Sequence, residues 1–264
     1  MISGSAFRSM RQPAILLALL GLFVPGIPTQ MTASADQALT VSVDDPRPLA
    51  RAVQALEERH GWVITYEDPP YVDRQEIADV TASVRKDRSS QPKVLIPRGG
   101  PFAFTYSVSG RGEPDELPVL RGLLEAYAST GYAGVFALVQ TGTAFHVVPA
   151  MSRNSSGVLE TRQSMLDAKI SLADEDRTVY GMLEAITGAV SLSTGIKLWT
   201  GTVPLNLFGQ LHVRGGASNE TARTVLLRTL ASTGRKFSWR LLRGPQPSGW
   251  NVLNVHAVPV VLKQ

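Results

Sequence analysis

Leu123-Leu124-Glu125-Ala126-Tyr127-Ala128-Ser129-Thr130-Gly131 returns as Leu226-Leu227-Arg228-Thr229-Leu230-Ala231-Ser232-Thr233-Gly234, at an offset of 103 residues. The same offset pairs Arg111-Gly112 with Arg214-Gly215. Each copy runs on to a similar end, His146-Val147-Val148-Pro149 and His256-Ala257-Val258-Pro259, so the sequence places His146 and His256 at one position of a repeated unit. Ser-Thr-Gly occurs a third time at Ser193-Thr194-Gly195. Glycine enters the left-handed backbone conformation without a Cβ penalty, so each triplet reads as the stop of a helix.

Working outward, the pattern predicts a strand at Leu39 to Val43 and a helix opened by Asp44-Asp45-Pro46. That helix carries Leu49, Val53 and Leu56 on one face and ends at Gly61. The β-prone run Trp62 to Tyr66 follows. Residues 73–92 read as a polar insertion with a short surface helix on Ile77, Val80 and Val84. Then come a strand at Phe102 to Val108, a helix over 117–130 and strands near 134–140 and 143–149. After the Gly- and Ser-containing stretch Ser152 to Gly157, the order restarts. It gives a strand at Ile170 to Leu172 and a helix capped by Asp174 or Asp176. Ile196 to Trp199 stands in the place of Trp62 to Tyr66. A strand at Leu205 to Val213 with a turn at Arg214-Gly215-Gly216 leads to a helix over 220–233, capped by Ser218 or Asn219, and a final hairpin.

The fold class expected is α+β: two tandem βαββαβ(β)-type modules, each a small sheet with helices on one face. The boundaries expected are 1–35 for a signal peptide, 36–151 for module one with insertion 73–101, 152–168 for a linker and 169–264 for module two.

The N-terminal 35 residues hold Arg8 and Arg11, no acid, an apolar run from Ala14 to Val24, and Ala33-Ser34-Ala35. This is the order of a bacterial secretory signal cleaved near Ala35, which predicts a periplasmic or secreted chain. Removing it takes Lys plus Arg from 26 to 24 against 22 acids, so the net charge falls from +4 to +2. With no basic run interleaved with aromatics, nucleic acid is not an expected partner. No later stretch has the ~20 apolar residues that a membrane span requires. The absence of cysteine excludes disulfides, thiolate metal sites and a cysteine nucleophile.

The residues that carry this pattern resemble the N-terminal short domain of secretins and TonB-dependent receptors. In the first half they are Leu49, Val53, Leu56, Gly61 and Val63 to Tyr66, then Leu120, Leu123, Leu124, Thr130-Gly131 and His146 to Pro149. In the second half they are Leu183, Ile186, Gly195, Leu226, Leu227, Thr233-Gly234 and Val255 to Pro259. The chain departs from that family in its 73–92 insertion and in having no secretin or β-barrel segment after the modules. The resemblance implies an adaptor that touches other envelope proteins and catalyses nothing.

The search for chemistry agrees with that expectation. Ser83-Val84-Arg85-Lys86 fits Ser-x-x-Lys without its supporting motifs. His60, His146, His212 and His256 have no metal-like spacing, and Glu57-Glu58 and Asp115-Glu116 read as solvated helix residues. No cofactor is expected. Trp62, Tyr66, Tyr71, Phe102 and Phe104, with Arg98 at the lip, form the candidate interaction surface. The expected function is an exported, non-catalytic envelope adaptor with envelope protein partners of unknown identity. Two alternatives stand beside it. One is a periplasmic glycan- or peptide-binding protein using the module-one aromatics. The other is an envelope hydrolase, which requires a cleft holding a histidine and a carboxylate within hydrogen-bond reach.

Overall fold

The computed structural model describes residues 37–85, 92–108, 114–246 and 249–261, all within one compact unit. The expected signal segment, Arg111-Gly112 and Lys86 lie outside the described residues. The fold is mixed α+β.

The first half contains β1 (Gln37–Asp45), α1 (Pro48–His60), β2 (Ile64–Glu67), β3 (Ile77–Asp79), α2 (Thr81–Val84), β4 (Leu95–Pro97), β5 (Gly100–Val108), α3 (Glu116–Ala128), β6 (Val135–Thr141), β7 (Ala144–Arg153) and β8 (Leu159–Thr161). The second contains β9 (Lys169–Thr178), α4 (Val179–Thr194), β10 (Trp199–Thr200), α5 (Leu205–Phe208), β11 (His212–Thr221), α6 (Ala222–Ala231), β12 (Phe237–Arg243) and β13 (Asn251–Ala257).

The helix stops follow one local rule. Gly61, Gly131, Gly195 and Gly234 all have φ between 67° and 74°. The threonine before each of the last three glycines donates to a carbonyl one turn back. Thr130 reaches Tyr127 O at 2.7 Å, Thr194 reaches Val190 O at 2.8 Å and Thr233 reaches Leu230 O at 2.6 Å. The same hydroxyl accepts the N–H of the residue after the glycine. Ser-Thr-Gly is therefore a self-contained helix terminator.

The halves share their connections. In each, the first and third long strands pair antiparallel as a two-stranded ribbon, β1 with β5 and β9 with β11. In each, the strand after the first helix runs parallel to the last long strand of a hairpin, β2 to β7 and β10 to β13. The rows match as well. Tyr66, Val147 and Leu138 lie side by side, and so do Thr200, Leu253 and Leu241. Counted from the glycine stops, Tyr66 matches Thr200 and Leu138 matches Leu241.

This register corrects the histidine pairing. The row of His146 holds Thr65 and Val139, and its counterpart row holds Trp199, Val252 and Leu242. His146 therefore matches Val252, and not His256. The side chains that face the core set the register, so counting back from the last proline fails when hairpin loops differ in length.

Each half does not keep a sheet of its own. β12 runs parallel to β2, with Arg240 beside Tyr66 and Leu241 beside Glu67, and makes one sheet in the order β10-β13-β12-β2-β7-β6, with β8 on the far end of β7. Two cores remain distinct. One combines Leu49, Val53 and Leu56 of α1 with Leu120 and Leu123 of α3, the ribbon's Phe102 and Phe104, and Ile64 and Val147 of the sheet. The other combines Leu183 and Ile186 of α4 with Leu226 of α6 and Trp239, Leu241 and Leu253 of the sheet.

Several local expectations are corrected. Thr178 and Thr221 cap α4 and α6, accepting from Gly181 and Thr224 N–H, while Asp174, Asp176, Ser218 and Asn219 lie in β9 and β11. Residues 205–208 form one helical turn that buries Phe208, and the strand begins at His212 and continues through Arg214-Gly215-Gly216. A Cβ on Gly216 would stand 2.7 Å from Leu172 O, so the backbones cross there at glycine distance. The 73–101 insertion holds the small antiparallel pair β3 and β4 besides a 3-10 turn at Arg74–Glu76 and one α turn at Thr81–Val84. The 152–168 segment carries the end of β7, β8 and a 3-10 turn at Met165–Asp167, with Ser164, Met165 and Leu166 buried.

Candidate functional site

The aromatics of the candidate surface separate. Tyr66, Tyr71, Phe102 and Phe104 are buried in the first half, so they do not form an exposed face. Burying such rings removes large apolar areas from water, which a small α+β half requires for stability. Tyr66 and Tyr71 both donate to Asp68 Oδ1 at 3.0 Å. Burial and the Asp68 charge push both phenols well up. Arg98 is exposed and donates to Ile77 O at 3.0 Å. Trp62 is half-buried and stacks on His60 at 4.3 Å. It lines a cavity of about 700 Å³ with Arg235, Lys236 and the stretch 257–261, and Tyr71 and Phe102 are not part of that lining.

The densest polar cluster lies where β2 meets β12. Glu57, Glu67 and Asp68 are all buried there. Glu57, expected on a solvated face, turns inward and pairs with Arg240 and with His256 Nε2 at 3.1 Å. Arg223 Nη2 donates to Glu67 Oε1 at 2.8 Å, and the Ser164 hydroxyl also sits 2.7 Å from that carboxylate. Arg47 Nε donates to Asp68 Oδ2 at 2.7 Å, and the Arg243 backbone N–H donates to the same oxygen at 2.9 Å. Isolated charges cannot be held at this depth, so the arginines are required partners. Sequence reading missed this cluster because the pairs that join the two halves, Arg223 with Glu67 and Arg240 with Glu57, lie more than 150 residues apart.

The four histidines differ in setting. His146 Nδ1 is 2.7 Å from Thr65 Oγ1, and burial followed by the Arg223 charge pushes the imidazole down to about 3. His60 Nε2 is 2.7 Å from Tyr106 OH, and His212 is 3.4 Å from Asp176 at the surface. His256 and Glu57 line a cavity of about 370 Å³, so a histidine and a carboxylate do meet in a cleft. Glu57 is already held by Arg240 and by Ile64 N–H, and no serine or threonine hydroxyl bonds to His256 among the described residues. Ser83 Oγ donates to Val80 O at 2.8 Å within its own turn.

The two outer edges of the large sheet are unlike. At β10, Leu198 N–H donates to Ser191 Oγ at 2.9 Å and Thr202 N–H to Asn254 Oδ1 at 2.7 Å. That strand is only two residues long, and so short an edge offers little template for pairing. At β6, no strand pairs on the outer side among the described residues. Phe145, the partner of Gln140, sends its N–H to Val63 O on the β2 side. In an antiparallel ladder its partner then faces the opposite way, so Gln140, and two residues back Leu138, turn their amides and carbonyls to the open edge. Val135 and Val139 are exposed on that strand.

Comparison of the chain with protein-family models, curated proteins and solved structures found no match. No helix among the described residues is long and apolar enough to cross a membrane.

Proposed function

We propose that this chain is an exported, non-catalytic adaptor of the bacterial cell envelope, and that it binds a partner protein by adding an extended segment of that partner to the edge of β6. The observation that carries this reading is the contrast between matching strands. The outer edge of β12 is covered by β2, with Asp68 N–H donating to Leu241 O at 2.8 Å. β6 stands in the matching place, and among the described residues no strand lies on the outer side of its matching residue Leu138. An uncovered seven-residue strand offers main-chain hydrogen bonds to a partner segment, and its exposed valines offer apolar contact. The resemblance to the secretin and TonB-receptor short domain and the signal-like N-terminus support placing the protein in the envelope.

Gln140→Pro tests the proposal. Gln140 is exposed and its N–H faces outward, so proline removes an edge donor while leaving the β6–β7 ladder in place. The wild-type chain should retain a partner from envelope extract and protect the Leu138 and Gln140 amides from exchange in the complex. Gln140→Pro should lose both. Equal capture by both chains, or capture without protection at β6, refutes strand addition.

A further inference from the structure

Independently of the β6 edge, a cavity of about 550 Å³ opens below the junction of β2 and β12. Its wall combines Arg162, Arg243, Ser164 and Ser193 with the apolar side chains of Met165 and Ile196. Of the arginines gathered here, Arg47 is matched by Asp68, Arg223 by Glu67 and Asp167, and Arg162 by Glu160 at 3.1 Å. Arg243 is only 9% exposed, yet its guanidinium has no hydrogen bond or carboxylate partner among the described residues. Its Nε is fully shielded and unpaired. Burial pushes this arginine down from its ordinary range, with Glu67 and Asp68 opposing from a distance. A buried guanidinium without an acceptor is costly, and a ligand that supplies the acceptor removes that cost.

We infer that this cavity is a binding site for a carboxylate carried on a partly apolar small molecule, with the carboxylate seated on Arg243. The charge count favours a monoanion, because Arg162 already has Glu160 and only one guanidinium is left unmatched. Geometry favours a planar acceptor, because a guanidinium presents paired donors that fit a carboxylate. Ser193 and Thr194 of the last turn of α4 border the site, and the end carbonyls there oppose an anion, so the carboxylate seats at Arg243 and away from the helix end. Met165 and Ile196 offer the apolar wall against which a short hydrocarbon chain packs.

The test uses hexanoate as probe, with hexanamide as the neutral analogue and inorganic phosphate as the tetrahedral anion. Thermal unfolding and titration calorimetry are followed in buffer free of other carboxylates. Hexanoate should raise Tm of the wild-type chain in a saturable way, while hexanamide and phosphate should not. Arg243→Met should abolish the shift. Ala168→Phe, which fills the cavity while leaving Arg243 in place, should abolish it too if its near-UV spectrum stays native. Arg162→Gln should weaken binding no more than about tenfold. Equal action by hexanoate and hexanamide, a response to phosphate alone, or full binding by a folded Ala168→Phe chain each overturns the inference.

Discussion

Arg240 on β12 closes on Glu57 of α1 across 183 residues of sequence, and the pair ties the second half to the first at the strand junction. Glu57 is almost wholly buried, and its other oxygen accepts the Ile64 N–H at 3.3 Å, at the start of the strand on which β12 docks. The corresponding positions at the outer edges, counted from the glycine stops, are Ser191 for Glu57 and Ala137 for Arg240. The ion pair therefore belongs to this junction alone among the matching places.

Arg240→Met should destabilise the chain by about 3–5 kcal/mol, because it leaves a buried carboxylate without its counter-charge. Adding Glu57→Gln should restore much of the loss. Urea unfolding of the two single variants and the double variant measures the coupling. A double variant no more stable than Arg240→Met would show that the pair is not what joins the halves.

Two buried groups give stability opposite slopes with pH. His146 is held down at about 3 against an ordinary 6.5, so its native state binds fewer protons than the unfolded chain in between. Its contribution is complete above 6.5 and lost as pH falls toward 3. Glu76 is pushed up to about 7 from 4.5, chiefly by burial and then by Asp73. Its contribution is complete below 4.5 and lost as pH rises through 7. Glu116 behaves as Glu76 does. Denaturation midpoints against pH should flatten on the acid side in His146→Gln and on the neutral side in Glu76→Gln/Glu116→Gln.

The glycine stops should separate by their surroundings. Gly131→Ala meets nothing within 4 Å of its new Cβ, so its cost should be the left-handed backbone alone, roughly 1–2 kcal/mol. Gly61→Ala adds a contact at 3.1 Å to Pro259 O and should cost more. Gly216→Ala drives a methyl into Leu172 O and the Asp174 backbone and should cost most, since β9 and β11 must part. Chemical denaturation ranks the three.

Gln140→Pro should leave Tm within a few degrees of wild type, because the lost amide faces open edge. A large drop would mean that the amide is paired within the fold, and the strand-addition reading would fail with it.

Much of the local structure was legible. Gly61, Thr130-Gly131, Gly195 and Thr233-Gly234 end helices because threonine and glycine satisfy the last carbonyls within a few residues of chain. The Leu205 to Val213 strand was misread because Leu205, Leu207 and Leu211 mimic alternation, whereas burial of Phe208 selects a single helical turn. Asp174 and Asp176 offered plausible caps, but the chain stays extended until Thr178. Little of the candidate sites was legible. Glu57 and Glu58 are adjacent and of one type, yet one is buried on Arg240 and the other is exposed.

The sequence by itself determined the helix stops, the apolar faces and the similar order of elements in the two halves, because these depend on φ preferences and on periodicities a few residues long. Only the tertiary structure decided that β12 lies on β2, that four of the five candidate aromatics are core, that β6 presents a seven-residue outer edge and β10 only two residues, and that the Arg243 guanidinium is buried without a partner among the described residues. Those outcomes depend on which long-range surfaces exclude water together, and no local stretch of chain encodes which distant residue arrives.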